Sequence, residues 1–199
     1  IPLQWLLVRL NLSWQRTVPC YYHGVCTRLF GMQVVVKGRR SAERPTLFVS
    51  NHSSYLDITV LGSLIPGSFV AKREVGTWPF FGLLARLQRT VFVDRRMASA
   101  DRQRDSIEQR LAAGDQLILF PEGTSSDGNR TLPFKSALFA AAAGQAGGKA
   151  VAVQPVSIVC TALDGIPLGR SFRSLYAWYG DMDLVSHIWR MARLGRLTV

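Results

Sequence analysis

The stretch Thr46-Leu47-Phe48-Val49-Ser50-Asn51-His52-Ser53-Ser54-Tyr55-Leu56-Asp57 decides how this chain folds. Its first five residues form a short apolar run with β-branched residues, which is typical of a strand. The apolar positions that follow recur with helical spacing, so we predict a helix to about Ile65, with one of the two serines of the turn as its N-cap. His52 would then lie where a strand ends, and Asp57 in the first turn of the next helix.

His52 and Asp57 form a candidate acid–base pair. A carboxylate in the first turn is favoured by the helix dipole, and it can fold back to accept the imidazole Nδ1–H. That contact would fix the tautomer and leave Nε2 as a base facing a cleft. The sequence offers no protein nucleophile, because Asp127 stands where the motif G-x-S-x-G requires its second glycine. We therefore predict that His52 deprotonates a substrate hydroxyl, although a histidine and an aspartate at this spacing also occur in purely structural roles.

The composition limits the class of protein. The chain has 199 residues, enough for one domain with a sizeable core. Its net charge of +11 attracts polyanions, and its hydrophobic fraction of 48% favours an anionic membrane surface over nucleic acid as the partner. The three cysteines are odd in number and lack a C-x-x-C motif, which fits a reducing compartment. The three histidines are scattered, so no metal site is predicted.

Residues 1–14 are apolar, with tryptophan and arginine among the leucines. This mixture is typical of a helix lying in the headgroup region of a membrane, and we predict a membrane-associated helical segment over residues 1–30. A core helix or the tail of a spanning helix would give a similar pattern. No run of 18 apolar residues is present, and the chain begins at Ile1, so we expect a further segment upstream. Residues 31–199 would form the main domain.

Strands and helices alternate along that domain. Strands are predicted at 32–37, 46–50, 68–71, 90–93, 116–120, 151–159 and 175–179, and helices at 56–65, 78–87, 98–113, 134–146 and 187–194. This alternation predicts a single α/β domain with a mostly parallel or mixed sheet flanked by helices. Polar residues follow several strands directly, namely His52, Lys72, Arg95 and Glu122. Ligands bind at the carboxyl ends of such strands, so we expect these side chains to share one cleft.

Four motifs in these positions resemble those of the glycerophospholipid acyltransferase family, the group that contains 1-acylglycerol-3-phosphate acyltransferases. The first is His52 to Asp57; the second combines Lys72-Arg73-Glu74, Pro79-Phe80-Phe81-Gly82 and Val91-Phe92-Val93-Asp94-Arg95; the third is Phe120 to Thr124; and the fourth is Val153-Gln154-Pro155-Val156. Each motif alone is weak, but four in the order and approximate spacing of the family are specific. The resemblance covers residues 34–179.

The resemblance implies an O-acyltransferase without a bound cofactor. His52 would be the general base and Asp57 its orienting partner, since a pKa of about 6.5 suits histidine to accept a proton near neutral pH. The 2-hydroxyl of lysophosphatidic acid would attack the thioester of acyl-CoA or acyl carrier protein and give phosphatidic acid. The enzyme would lie at the cytoplasmic face of the cell (inner) membrane.

The resemblance also assigns binding roles. Lys72 and Arg95 would hold the phosphate of the acceptor. Glu122 would bind a glycerol hydroxyl, Gly123 would let the backbone approach the ligand closely, and Thr124 would complete the substrate site. Structural alternatives exist: Arg95 could pair with a surface carboxylate, and Glu122 could accept from backbone N–H groups at a helix N-terminus.

The identity of the acceptor stays open at this point. In this family the third motif often continues with arginine after the threonine, whereas here it continues Ser125-Ser126-Asp127-Gly128-Asn129-Arg130. This departure predicts that a phosphate contact is missing or that Arg130 or Lys135 replaces it. This loop looks similar to that of bacterial relatives that acylate lyso-ornithine lipid, whose headgroup lacks phosphate. A different class, a non-catalytic basic module that binds membranes, is the remaining alternative.

Overall fold

The computed structural model describes residues 1–93, 100–135, 145–146 and 148–199. Six helices lie within these ranges: α1 (Pro2–Arg9), α2 (Val18–Leu29), α3 (Leu56–Leu64), α4 (Phe81–Leu87), α5 (Ala100–Ala112) and α6 (Leu184–Met191). The strands described there are β1 (Met32–Gln33), β2 (Thr46–Ser50), β3 (Ser68–Lys72), β4 (Val91–Val93), β5 (Gln116–Leu119), β6 (Gln145–Ala146), β7 (Lys149–Ala150), β8 (Ala152–Val156), β9 (Ala162–Leu163), β10 (Ile166–Pro167) and β11 (Leu197–Thr198).

A five-stranded sheet forms the centre, in the order β4-β3-β5-β2-β8, and every neighbouring pair is parallel. The predicted α/β domain with a mostly parallel sheet is confirmed. All residues of β2 and β5 are buried, because parallel strands in the middle of such a sheet are covered on both faces. Pro155 lies on β8 at the edge of the sheet, where its missing N–H costs no ladder hydrogen bond.

The two faces of the sheet carry separate apolar cores. Successive strand residues point to opposite faces, so β2 sends Phe48 to one core and Leu47 and Val49 to the other. The first core packs the sheet against α3 and contains Phe48, Phe69, Ile118, Leu56, Val60 and Leu61. The second packs it against α5 and contains Leu47, Val49, Val70, Leu117, Leu119, Ile107 and Leu111. The residues between β2 and α3 are thereby fixed at the carboxyl edge of a rigid sheet.

Two smaller sheets complete the described part of the chain. In one, β11 pairs in parallel with β1 and antiparallel with β9, and β9 pairs antiparallel with β10. In the other, β6 and β7 form an antiparallel pair. The first of these sheets joins the segment that follows α2 to the last residues described.

The N-terminal segment packs against the main domain through a few polar and apolar contacts. The side chain of Gln4 is buried, and its Nε2 donates to the carbonyl oxygens of Gln15 and Leu87, both at 2.9 Å. His23 on α2 lies against α3 beside Gly62. Within the described residues, every helix is too short or too polar to span a bilayer.

Several sequence predictions fail in the structure, among them the strand predicted at 32–37, which is limited to Met32–Gln33. The strand predicted at 175–179 is wrong, because Arg170–Leu175 forms a 3-10 helix and Tyr176 turns inward to a buried carboxylate. The end of the helix predicted at 134–146 is also wrong, since Gln145–Ala146 is a strand, while residues 136–144 lie outside the described part. The last helix begins at Leu184 instead of His187, because the side chain of Asp183 accepts from Ser186 N–H and caps it.

Candidate functional site

The loop after β2 is held in place by a pair of side-chain contacts to the segment that follows β8. Asn51 Nδ2 donates to the carbonyl oxygen of Ile158, and the N–H of Ile158 donates to Asn51 Oδ1, each at 2.9 Å. The two bonds tie the end of one strand to its neighbour at the carboxyl edge of the sheet. His52 follows directly and leaves that edge in a fixed direction.

The predicted pair is formed. His52 Nδ1 lies 3.0 Å from Asp57 Oδ2, and the Asp57 side chain is completely buried. The same oxygen accepts the backbone N–H groups of Ser53 at 2.7 Å and Ser54 at 2.9 Å. The other oxygen, Oδ1, accepts the hydroxyl of Tyr176 at 2.8 Å. A carboxylate that faces only donors makes Nδ1 the protonated nitrogen, so Nε2 has a free lone pair.

The helix start differs from the prediction in one detail. The N-cap position of α3 is Tyr55, which makes no side-chain capping bond, whereas a serine was expected there. Ser54 Oγ accepts from Leu56 N–H at 3.3 Å, and the Asp57 carboxylate accepts from the two serine N–H groups before the helix. The carboxylate therefore organises the turn as well as the imidazole.

The imidazole ring of His52 is positioned by stacking as well as by hydrogen bonding. It lies on the ring of Phe120 with 4.0 Å between centroids and 17° between planes. Phe120 stacks in turn on Phe69, 6.1 Å away, in the core beneath the sheet edge. The His52 side chain keeps 17% of its surface exposed. The ring therefore packs on an apolar surface and stays partly accessible to solvent.

Glu122 is buried and holds backbone on both sides. Its Oε1 accepts the N–H of His52 at 2.8 Å, and its Oε2 accepts the N–H of Leu132 at 2.6 Å. The carboxylate thereby joins the third motif to the turn that carries His52 and to the loop that contains Leu132. Its predicted contact with a glycerol hydroxyl stays a prediction.

The remaining predicted residues lie at the same edge or outside the described chain. Gly123 has a φ of +67°, and a Cβ there would lie 3.1 Å from Lys135 Nζ, so glycine permits the close crossing of that lysine. Thr124 is exposed and Lys72, the last residue of β3, is half-buried. Arg95 lies outside the described residues.

Sequence reasoning missed Tyr176 and its neighbours. Tyr176 is separated from Asp57 by 119 residues, and no motif points to it. Burial, with the adjacent Asp57 carboxylate, raises the pKa of Tyr176 well above its ordinary value. Burial also raises the pKa of the nearby Cys160 thiol to about 11. Both groups therefore stay protonated near neutral pH.

Fold and site together define an enzyme in which a histidine, oriented by a buried carboxylate, can take a proton from a bound hydroxyl. Comparison with known proteins agrees: the family model described as Acyltransferase matches residues 33–159. This chain belongs to the acyltransferase family, and it is an acyltransferase.

Several relatives and one solved structure resemble the chain. It is 47% identical to the lyso-ornithine lipid O-acyltransferase of Brucella abortus over the whole chain and 76% of that protein. It is 45% identical to the enzyme of the same description from Rhizobium meliloti, over 70% of that protein. The 1-acyl-sn-glycerol-3-phosphate acyltransferase of Neisseria gonorrhoeae is 34% identical over 81% of this chain and 61% of its own. The crystal structure of the Thermotoga maritima 1-acyl-sn-glycerophosphate acyltransferase has the same fold, with a TM-score of 0.55 and 19% identity over 90% of this chain and 76% of its own.

Proposed function

We propose that this acyltransferase moves a fatty acyl group from an acyl thioester to the hydroxyl of lyso-ornithine lipid, with His52 as general base and Asp57 as its orienting partner. The observation that carries the mechanism is the 3.0 Å contact between His52 Nδ1 and the fully buried Asp57 carboxylate. The acceptor is supported by relatives named for lyso-ornithine lipid at 47% and 45% identity, against 34% for the relative named for 1-acyl-sn-glycerol 3-phosphate.

The reaction transfers one proton in two steps, first from the acceptor hydroxyl to His52 and then from His52 to the departing thiolate. As the acceptor hydroxyl oxygen attacks the thioester carbonyl, its proton passes to His52 Nε2, and the imidazolium is stabilised by Asp57. The tetrahedral intermediate then expels the thiolate, which takes the proton from His52 and leaves as a free thiol. The ester bond forms, the thioester bond breaks, and no acyl-enzyme is required. The donor is acyl-CoA or acyl carrier protein, and holding both substrates at the cleft supplies much of the rate.

The acceptor site is proposed from the residues at the same sheet edge. Lys72, at the end of β3, and Arg95, which lies outside the described residues, would supply positive charge for a headgroup, and Gly123 and Thr124 would complete the site. Glu122 positions the acceptor indirectly, through the loop whose Leu132 N–H donates to its carboxylate. Lys135 crosses Gly123 and offers a further ammonium group, which fits the carboxylate of an amino-acid headgroup as well as a phosphate.

A second acceptor, lysophosphatidic acid, is kept because one specific observation favours it. The four motifs of the glycerol-phosphate enzymes are present in order, and a relative named for that substrate matches 81% of the chain. The chemistry at His52 would be unchanged, and only the headgroup contacts would differ.

Membrane association is proposed for the segment of residues 1–30, at the cytoplasmic face of the cell membrane. Large apolar side chains are exposed there, including Trp5 at 53%, Trp14 at 70% and Leu29 at 74%. The guanidinium of Arg9 lies 5.6 Å from the ring centroid of Trp5, an arrangement suited to the headgroup region. Flotation with vesicles of mixed neutral and anionic phospholipid tests this. Replacement of Trp5 and Trp14 by Ser should release the protein, and unchanged flotation would contradict the assignment.

In the first experiment, the protein in nanodiscs receives a labelled acyl group on either CoA or acyl carrier protein. Lyso-ornithine lipid and lysophosphatidic acid are tested separately as acceptors. His52→Ala is the control variant, with circular dichroism to establish that it folds. We expect acylated lyso-ornithine lipid, and a loss of about 10²–10⁴-fold in His52→Ala, the usual contribution of a general base. Product from lysophosphatidic acid alone would keep the mechanism and replace the acceptor. An active His52→Ala would overturn the general-base assignment, whereas no product from either acceptor with either donor would overturn the proposal and favour a non-catalytic membrane-binding module.

A further inference from the structure

We infer that Tyr176 is a positioning residue that tunes the basicity of His52 through Asp57. The inference rests on the proposed function of His52 as the general base. Its physical basis is a continuous series of hydrogen bonds that runs from the Tyr176 hydroxyl, through the two oxygens of Asp57, to His52 Nδ1. The side chains of Tyr176 and Asp57 are buried away from solvent.

The geometry of this chain is direct. The Tyr176 hydroxyl donates to Asp57 Oδ1 at 2.8 Å, with 2% of Tyr176 and none of Asp57 exposed. Within the described part of the chain, no other hydrogen bond to Oδ1 is seen, whereas Oδ2 accepts from His52, Ser53 and Ser54. Within the described residues, the phenol is therefore the hydrogen-bond donor at the Oδ1 side of the carboxylate.

The tyrosine is held in register with the active-site turn. The N–H of Trp178, two residues on, donates to the carbonyl oxygen of Ser53 at 2.8 Å. The carbonyl oxygen of Trp178 accepts from Ser125 Oγ at 2.5 Å, which joins the same segment to the loop after the third motif. The segment that carries Tyr176 is therefore bonded both to the turn after His52 and to the loop after the third motif. It cannot move away from Asp57 without breaking these hydrogen bonds.

The sign of the effect follows from the state of the phenol. Burial keeps Tyr176 protonated, so the hydroxyl can only donate to the carboxylate. A donor at Oδ1 draws negative charge away from Oδ2, and the imidazolium of His52 is then stabilised less. Removal of the hydroxyl should therefore leave more negative charge on Oδ2, and the imidazolium form of His52 should then be held more tightly.

Other titratable groups around the pair bear on any pH profile. Cys160 lies close enough to Asp57 and Tyr176 to interact with both, and Glu122 accepts from the His52 N–H. From α6, His187 Nδ1 lies 3.1 Å from the hydroxyl of Tyr55. Burial raises the pKa of Tyr55 and lowers the pKa of His187; the nearby Arg190 of α6 opposes the first shift and adds to the second. Tyr55→Phe is the matched control, because it removes a nearby phenol hydroxyl that contacts His187 and not Asp57.

The test compares Tyr176→Phe, Tyr55→Phe and wild type in the full chain. We expect the acidic limb of kcat/KM to move to higher pH by about 0.5–1 unit in Tyr176→Phe, which is less than the roughly 1–2 units of a whole hydrogen bond to a charged group because the effect reaches His52 through Asp57. In Tyr55→Phe the limb should stay in place. Incorporation of 3-fluorotyrosine at position 176, whose phenol is a stronger donor, should move the limb to lower pH, and this variant serves if Tyr176→Phe fails to fold.

A rate loss that is equal at every pH, or no displacement in either direction, would assign Tyr176 a structural role and overturn the inference. The pKa of His52 measured by NMR in the same proteins needs no activity. If wild type shows no His52-dependent turnover, the proposed function fails, and the NMR titration still decides whether Tyr176 and His52 are coupled. A His52 pKa that is the same in wild type and in both position-176 variants would also overturn the inference.

Discussion

At the scale of single residues, Glu122 shows how a motif carboxylate can act through backbone. It lies in the third motif, where the family resemblance assigns it to the substrate. In the structure each of its oxygens accepts a backbone N–H, one from His52 and one from Leu132. The buried carboxylate thereby helps to set where His52 leaves the sheet edge.

Replacement of Glu122 by Gln tests this role. The amide nitrogen of Gln is a donor, so either the His52 or the Leu132 N–H must lose its acceptor. We expect the free energy of unfolding to fall by about 1–3 kcal/mol, the cost of a buried unsatisfied group, and turnover at saturating acceptor to fall with it. Denaturant unfolding measures the first, with the exposed Glu43→Gln as control. Unchanged stability together with a raised KM for the acceptor would instead make Glu122 a direct ligand of the substrate.

At the scale of elements, the sequence predicts what depends on local pattern. The bounds of β2 agree with the prediction, and β3, β4 and β5 agree within one residue at each end, because central parallel strands are short apolar runs between turns. The His52–Asp57 contact was also predictable from local sequence, because the two residues are only five positions apart.

What the sequence could not predict depends on contacts between distant residues. Residues 175–179 form an apolar run with the appearance of a strand, but Tyr176 lies against Asp57 and the N–H of Trp178 bonds to the turn after His52. Glu122 is a similar case, because its two partners lie 70 and 10 residues away. Such pairings are decided by which groups are buried together, and local periodicity contains no information about them.

The contact of α2 with α3 gives a paired prediction. Gly62 of α3 lies under the imidazole of His23, and a Cβ there would come within 2.4 Å of the ring, which is buried and bonded to Gln88. Gly62→Ala should therefore destabilise the protein by about 1–3 kcal/mol, as overpacking does. Gly24→Ala, in the interior of α2 with open space at its Cβ, should stabilise it by about 0.4–1 kcal/mol.

Thermal and denaturant unfolding of the two variants measure this difference. The two substitutions are chemically identical and lie in neighbouring helices, so helix propensity favours alanine in both. Opposite signs would show that close approach of α2 to α3, through His23, holds the N-terminal segment to the domain. Equal stabilisation in both variants would contradict that packing.

At the scale of the whole molecule, a buried carboxylate joins three segments at the edge of the sheet opposite His52. Asp115, directly before β5, is 2% exposed and forms ion pairs with three guanidinium groups. Arg16 Nη2 and Arg89 Nη2 each lie 3.0 Å from it, and Arg110 Nε lies 2.6 Å away. These arginines come from the N-terminal segment, the turn after α4 and helix α5. One anion thereby fixes the N-terminal segment to the far edge of the domain.

Replacement of Asp115 by Asn leaves three neighbouring guanidinium groups without their carboxylate. We expect the free energy of unfolding to fall by about 3 kcal/mol, the lower end for loss of one member of a buried ion pair, since the arginines are partly exposed. The exposed Asp181→Asn is the control, with an expected change within about 0.5 kcal/mol. Hydrogen exchange should rise around residues 13–20, because Arg16 is the link that is lost. Turnover by the folded fraction should change little, because His52 lies at the opposite edge. A stability loss no greater than that of Asp181→Asn would mean that the N-terminal segment is held by its apolar contacts and by Gln4 instead.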